Sequence, residues 1–273
     1  MNVQSNSYTY IYSSVMVALV AALLAIAAIK LQPAQERNIE IEKKMSILQS
    51  VNLAAKAAEV EDKNAYIIEE YDKYITGSYA VNLAGEKIEG VDAFKVAVEV
   101  EAKKISEIKN LQLKLKKSPD KESTIKPQIE ALQKSRQLPI YECNLPDGKK
   151  LIIPLRGKGL WGPIWGYISL NDDYNTIYGA VFDHKGETPG LGAEINQSWF
   201  YQPFAGKTLF DAQGKFVSIT VHKGGKGAAA LAGDTEHGVD AISGGTITSK
   251  GLEAMLYDCL VDYATFLQKN KAE

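Results

Sequence analysis

The distribution of apolar and polar residues changes character several times along the chain. From Ile11 to Ile29 the run IYSSVMVALVAALLAIAAI holds no charged residue. As a helix it extends about 28 Å, close to the hydrocarbon thickness of a bilayer. A transmembrane helix is therefore predicted. The preceding MNVQSNSYTY lacks Lys and Arg, and the apolar run is longer than a signal-peptide core, so an uncleaved anchor is expected rather than a cleaved leader. Ala18, Ala21, Ala22, Ala25 and Ala28 give this helix small-residue faces suited to packing on partner helices.

After Pro33 the spacing of Ile41, Met45 and Leu48 predicts a new helix to about Ser50. Ile67, Tyr71, Tyr74 and Ile75 share one face of the next helix, and Gly77 supplies its stop. Between Val91 and Leu138, lysine and glutamate alternate around Phe94, Val98, Ile105 and Ile108, with a break at Lys116-Lys117-Ser118-Pro119-Asp120-Lys121. This pattern predicts a solvated helical hairpin. Its lysines could touch acidic lipid, but the interspersed glutamates favour a solvated face.

From Leu138 the period shortens to that of strands. Leu151–Leu155, Trp165–Leu170 and Thr176–Phe182 are strand-like, with Asn171-Asp172-Asp173-Tyr174-Asn175 as a turn, and short turns between consecutive strands imply an antiparallel sheet. Lys215–Val221 is predicted as a further strand, followed by Gly224-Gly225-Lys226-Gly227. Helical period returns with Leu252, Met255, Leu256, Cys259, Leu260, Tyr263 and Leu267. The expected fold class is α+β, an antiparallel sheet with flanking helices plus one N-terminal transmembrane helix. The expected division is residues 1–31 for the anchor, 32–137 for a helical stalk and accessory region, and 138–273 for a ligand-binding domain.

At 273 residues and 45% hydrophobic content the chain can bury one good core. A net charge of -2 leaves no general footprint for nucleic acid. Cys143 and Cys259 are the two cysteines, and Cys259 lies on the apolar face of the last helix, which favours a buried free thiol over a disulfide. No Cys/His spacing suggests zinc or an iron–sulfur cluster. His184, His222 and His237 are widely separated and lack a nucleophile motif, which argues against a hydrolase triad.

The chemistry-bearing stretch is Glu236–Gly251. Glycines and hydroxyls run directly into the last helix, so Ser249 or Thr248 can serve as N-cap while Gly244 and Gly245 allow close approach of a ligand. Free N–H groups and the helix dipole make such a turn suitable for a phosphate, and Lys223, Lys226 and Lys250 could offset its charge. On these features alone an ordinary capped turn is the better description. Gly157-Lys-Gly159-Leu-Trp-Gly162 fits G-x-G-x-x-G, but Pro163 and Trp165–Ile168 continue as strand where a dinucleotide motif needs a helix. Trp161 and Trp165 are expected in the core, with a place beside a ligand as the alternative. Pro189-Gly190 predicts a tight turn.

Asp240-Ala-Ile-Ser243-Gly244-Gly245-Thr246-Ile-Thr248-Ser249 resembles the flavinylation motif Asp-x-x-Ser/Thr-Gly-Ala-Thr-x-Thr-Ser, with Gly245 in place of the usual alanine. Gly157-Lys-Gly-Leu-Trp161 and Glu187-Thr-Pro-Gly-Leu-Gly192 resemble two further segments of one family, the flavin-bearing C subunits of the sodium-translocating NADH:quinone reductase. The resemblance implies FMN joined through its phosphate to Thr246, with Glu187, Thr188 and Leu191 near the isoalloxazine ring and Asp240 positioning the loop or recognised by the flavin transferase that attaches FMN. It also implies other membrane and peripheral subunits as partners, a single-pass helix in contact with the lipid of the cell inner membrane, electron transfer from NADH to quinone coupled to sodium export, and a periplasmic flavin domain. Lys30, Arg37, Lys43 and Lys44 argue the opposite orientation by the positive-inside rule. The flavin subunit of the Rnf ferredoxin:NAD oxidoreductase, and a membrane-tethered protein that holds phosphate or flavin without a covalent bond, are the alternatives.

Overall fold

The computed structural model describes residues 5–271. The chain forms two compact units that divide between Lys44 and Met45. In the first unit, helix α1 (Asn6–Ser50, whose last residues belong to the second unit) is long and apolar enough to cross a membrane and exposes its apolar side chains from Tyr10 to Ile29. It fits a single-pass anchor. The helix break expected at Pro33 is absent, and α1 runs through it. Proline removes one rung of the ladder. The loss falls on a single turn of a long helix, where Gln32 Nε2 also donates to Glu36 Oε1 at 2.8 Å.

In the second unit, α2 (Lys63–Tyr74) starts at Asp62, whose side chain accepts from Ala65 N, and buries Ile67 and Tyr71. It stops earlier than expected. Ile75 opens β1 (Ile75–Val81), and Gly77 sits at a register irregularity instead of a helix end. The segment's β-branched and aromatic residues pair with a distant strand, a non-local gain that local periodicity does not report. Together with β2 (Lys87–Ile88), β1 gives the range 32–137 two strands where only helix is predicted.

The expected hairpin is present as α3 (Val98–Lys117) and α4 (Glu122–Lys134), joined around Pro119 and packed through Ile108, Leu111, Ile125 and Ile129. Buried Arg136 ties it to the body, bonding Glu101 at 2.8 Å and Asp262 at 2.7 Å. Strands β3 (Leu138–Leu145), β4 (Gly148–Lys158), β5 (Pro163–Leu170) and β6 (Ile177–His184) complete an antiparallel sheet of order β2-β1-β3-β4-β5-β6. Strand follows directly on Gly162, which excludes the dinucleotide motif.

After the short helix α5 (Ser198–Tyr201), the strand expected over 215–221 shrinks to β7 (Thr220–His222). Ser218 adopts a left-handed φ of 63° and interrupts the run. A four-residue helix α6 (Ala228–Leu231) leads to β8 (Gly238–Asp240), which pairs with β7 in parallel. Helix α7 (Thr246–Leu260) then packs Leu252, Met255 and Leu256 on the sheet face formed by Leu151, Ile153 and Leu155, and α8 (Ala264–Lys271) adds Phe266 and Leu267. The contact of α7 with β4 has no clearance. A Cβ on Gly251 would lie 2.3 Å from Lys158 O, and one on Gly157 would lie 2.6 Å from Met255 Cβ. Both cysteines are free and buried.

Candidate functional site

The start of α7 and two loops from the sheet meet around one carboxylate. The chain leaves β6 at His184, whose Nδ1 accepts from Glu187 N at 3.1 Å. Glu187 is only 4% exposed. Its Oε1 accepts from Trp161 N at 2.8 Å and Gly162 N at 3.3 Å, and its Oε2 from Leu160 N at 3.3 Å and Thr248 Oγ1 at 2.5 Å. Burial pushes the carboxyl pKa up, but the hydrogen bonds from Thr248 and from the N–H groups of Trp161, Gly162 and Leu160 outweigh it, and the net shift is downward. Glu187 therefore stays ionised and holds the 159–162 turn against the first turn of α7.

The turn it holds is an exposed apolar shelf. Trp161 is 69% exposed and Leu160, Leu191 and Ile247 are exposed with it, which corrects the expectation of a core tryptophan. Its Nε1 donates to Thr188 Oγ1 at 3.2 Å, while Thr188 O accepts from Leu191 N and Ala193 N, each at 3.1 Å. Leu191 in turn lies against the loop before α7, since a Cβ on Gly244 would come 2.6 Å from Leu191 Cδ2. The backbone leaves no choice at Gly244, whose φ is 76°. Trp165 is half-buried, with the Arg156 guanidinium 5.1 Å from its ring centre.

The N-cap of α7 is Gly245, with no side-chain capping bond. Thr248 and Ser249 are not caps but buried residues of the first turns, one bonded to Glu187 and the other accepting from Ile242 N at 3.2 Å. The glycine–hydroxyl pattern is displaced by a few residues from the capping site because both hydroxyls find tertiary partners. Thr246 is the first helical residue and half-buried, and Ser243 and Gly244 are exposed beside it. Among the described residues, the N–H groups of Thr246, Ile247 and Thr248 carry no acceptor. Asp240 accepts from Gly227 N at 2.5 Å and Ala229 N at 2.8 Å, fixing the glycine-rich loop.

His184 is spent on the loop after β6, while His222 and His237 meet at Asp234, whose Oδ1 accepts from His237 N at 3.0 Å. His222 Nε2 lies 2.7 Å from Asp234 Oδ2, and His237 Nδ1 lies 2.7 Å from Thr208 O. Of the three lysines considered for a phosphate, Lys223 and Lys250 share a groove of about 520 Å³ with Thr246. Lys226 lines a different groove of about 570 Å³, with Trp199 and Ser243.

The sheet is backed by a helix that begins at a Ser-Gly-Gly-Thr turn, and the class this defines is a flavin-binding module: residues 159–261 match the FMN-binding domain family. The C subunit of Na(+)-translocating NADH-quinone reductase from Haemophilus ducreyi is 31% identical over 240 residues, which is 88% of this chain and 84% of the relative. The crystal structure of the corresponding C subunit from Parabacteroides distasonis is similar with a TM-score of 0.64 and 36% identity, covering 87% of this chain and 96% of that one. NqrC of Shewanella oneidensis gives 0.62 and 26%, covering 88% and 100%. The chain belongs to the NqrC family, the C subunits of the Na+-translocating NADH-quinone reductases.

Proposed function

We propose that this chain carries FMN joined through a phosphoester to Thr246 and relays electrons within a membrane complex that oxidises NADH, reduces quinone and exports sodium. The single observation that carries the attachment is the place of Thr246, the first residue of a helix whose leading N–H groups are free. An anion there meets both the helix dipole and unbonded donors. The residues fit the rest of the cofactor as well. The Trp161–Leu191 shelf offers exposed apolar surface for a flat ring, and Thr188 braces both residues. When bound, FMN accepts and releases electrons, and the protein supplies position and tuning.

In this account Glu187 and Thr248 lock the shelf to the helix, and Ser249 holds the loop through Ile242 N. Ser243 and Gly244 are the exposed part of the turn that a flavin transferase reads, Gly245 lies buried beneath them, and Asp240 keeps the adjoining glycine-rich loop in shape for it. NADH, quinone and sodium sites belong to partner subunits. The chain is held in the inner membrane by α1, in contact with lipid, with its second unit in the periplasm.

The test is ultraviolet fluorescence of the denatured full-length chain on a gel, after coexpression with a flavin transferase. Fluorescence in wild type, its loss in Thr246→Ala and a peptide mass placing FMN on Thr246 are expected. A dark wild-type band would reduce the protein to a tethered domain that holds phosphate or flavin without a covalent bond.

A further inference from the structure

We infer that Lys223 and Lys250 form the phosphate subsite beside Thr246, in the groove that the three residues line. The inference rests on the attachment proposed above and adds which of this chain's cations serve it.

The two lysines reach the same place by different routes. Lys250 follows Thr246 by one helical turn, and residues so spaced on a helix have Cβ atoms about 5–6 Å apart. Lys223 arrives through the parallel pairing of β7 with β8. His222 stands opposite Asp240, so the next residue comes up beside Ala241, where the loop towards Thr246 begins. Lys223, Lys250, Ala241 and Thr246 all line the groove between residues 217–223 and α7. Lys226, three residues further on, has been carried into the other groove by the left-handed glycines around it.

Neither lysine is spent elsewhere. Among the described residues no carboxylate pairs with Lys223 or Lys250, whereas Lys109 pairs with Asp258 and Lys207 Nζ donates to Thr235 O. The nearest acid on the same helical face, Glu253, is engaged by Val221 N at 3.0 Å.

A phosphodiester carries one negative charge and two free oxygens. Two ammonium groups and the leading N–H groups of α7 supply charge-assisted donors on separate sides of it. The consequence is positional: an anchored phosphate fixes where the chain to the flavin ring begins.

The full-length chain, loaded with FMN by coexpression with a flavin transferase and purified in detergent, would be followed by phosphorus-31 NMR and by thermal unfolding beside unloaded Thr246→Ala. Loading should raise the wild-type Tm by an amount that shrinks with added salt. Combining Lys223→Gln with Lys250→Gln should shift the diester resonance and abolish most of that salt-sensitive gain. Arginine at both positions should retain it, and Lys226→Gln should match wild type. An unmoved resonance and an unchanged gain in the double glutamine variant, with peptide mass confirming FMN on Thr246, would overturn the subsite alone. If the glutamine variants load too little flavin to measure, loading restored by arginine supports the subsite and loading not restored overturns it. Wild type without FMN on Thr246 overturns the attachment and the subsite together.

Discussion

Thr248 Oγ1 donates a hydrogen bond to Glu187 Oε2 across 61 positions of sequence, and this one contact joins the loop after β6 to the first turn of α7. Glu187→Gln removes the charge but keeps the size. It should destabilise the second unit by about 1.5–3 kcal/mol, the range for hydrogen bonds to a charged group, with the lower half expected because the turn borders solvent. The sign with pH follows from the lowered carboxyl value. The contribution is complete above the ordinary glutamate value of 4.5 and is lost as pH falls below it through the folded-state value. Urea unfolding of wild type and variant should therefore differ at pH 7 and converge in acid.

Adjacent glycines in the attachment turn should respond differently to alanine. At Gly245 a Cβ would meet Ile242 Cγ2 at 3.0 Å, a crowding offset by reduced freedom of the unfolded chain, so Gly245→Ala should be close to neutral. At Gly244, with φ 76°, alanine adds left-handed strain of about 1–2 kcal/mol and displaces Leu191. The check is the urea midpoint of the two variants, with Gly244→Ala the lower.

Asp240→Ala deletes two charge-assisted bonds from the glycine-rich loop. Amide exchange at Gly227 and Ala229 should rise by about tenfold or more, since each such bond contributes roughly 1.5–3 kcal/mol and about 1.4 kcal/mol corresponds to tenfold. Asp240→Asn, which keeps one acceptor, should fall between. Equal exchange rates in all three chains would remove the positioning role.

Burial pushes the Cys143 thiol up to about 12 and the Cys259 thiol up to about 11. Both should resist thiol reagents at pH 8 in the folded chain and react fully in denaturant. Thr265→Cys, at an exposed position, then provides a lone reactive thiol. A reagent unable to cross the membrane should label it from the periplasmic side, and labelling only after the membrane is opened would reverse the proposed orientation.

What could be foreseen depended on whether a segment's partner was near in sequence. Strands β4 to β6 and the α3–α4 hairpin were legible because their partners follow within a short turn, and the apolar stripe of α7 states its own period. Strand β1 was hidden because Ile67, Tyr71, Tyr74 and Ile75 also satisfy a helical template, and only pairing with β3 decides where the helix stops. At the site, local rules made caps of Thr248 and Ser249 and a core residue of Trp161. All of these depend on Glu187 and Ile242, whose distances from them no spacing rule supplies.

On the proposed attachment, the missing side chains at Gly157 and Gly251 bear on rate. They let α7 lie directly on β4, so the first turn of that helix has little room to move relative to the sheet. Tunnelling of an electron weakens steeply with separation, and a carrier fixed to that turn would keep a nearly constant gap to a donor or acceptor docked against the same sheet. A methyl group at position 251 would meet Lys158 O and push the helix off the strand, lengthening that gap as it loosens the fold.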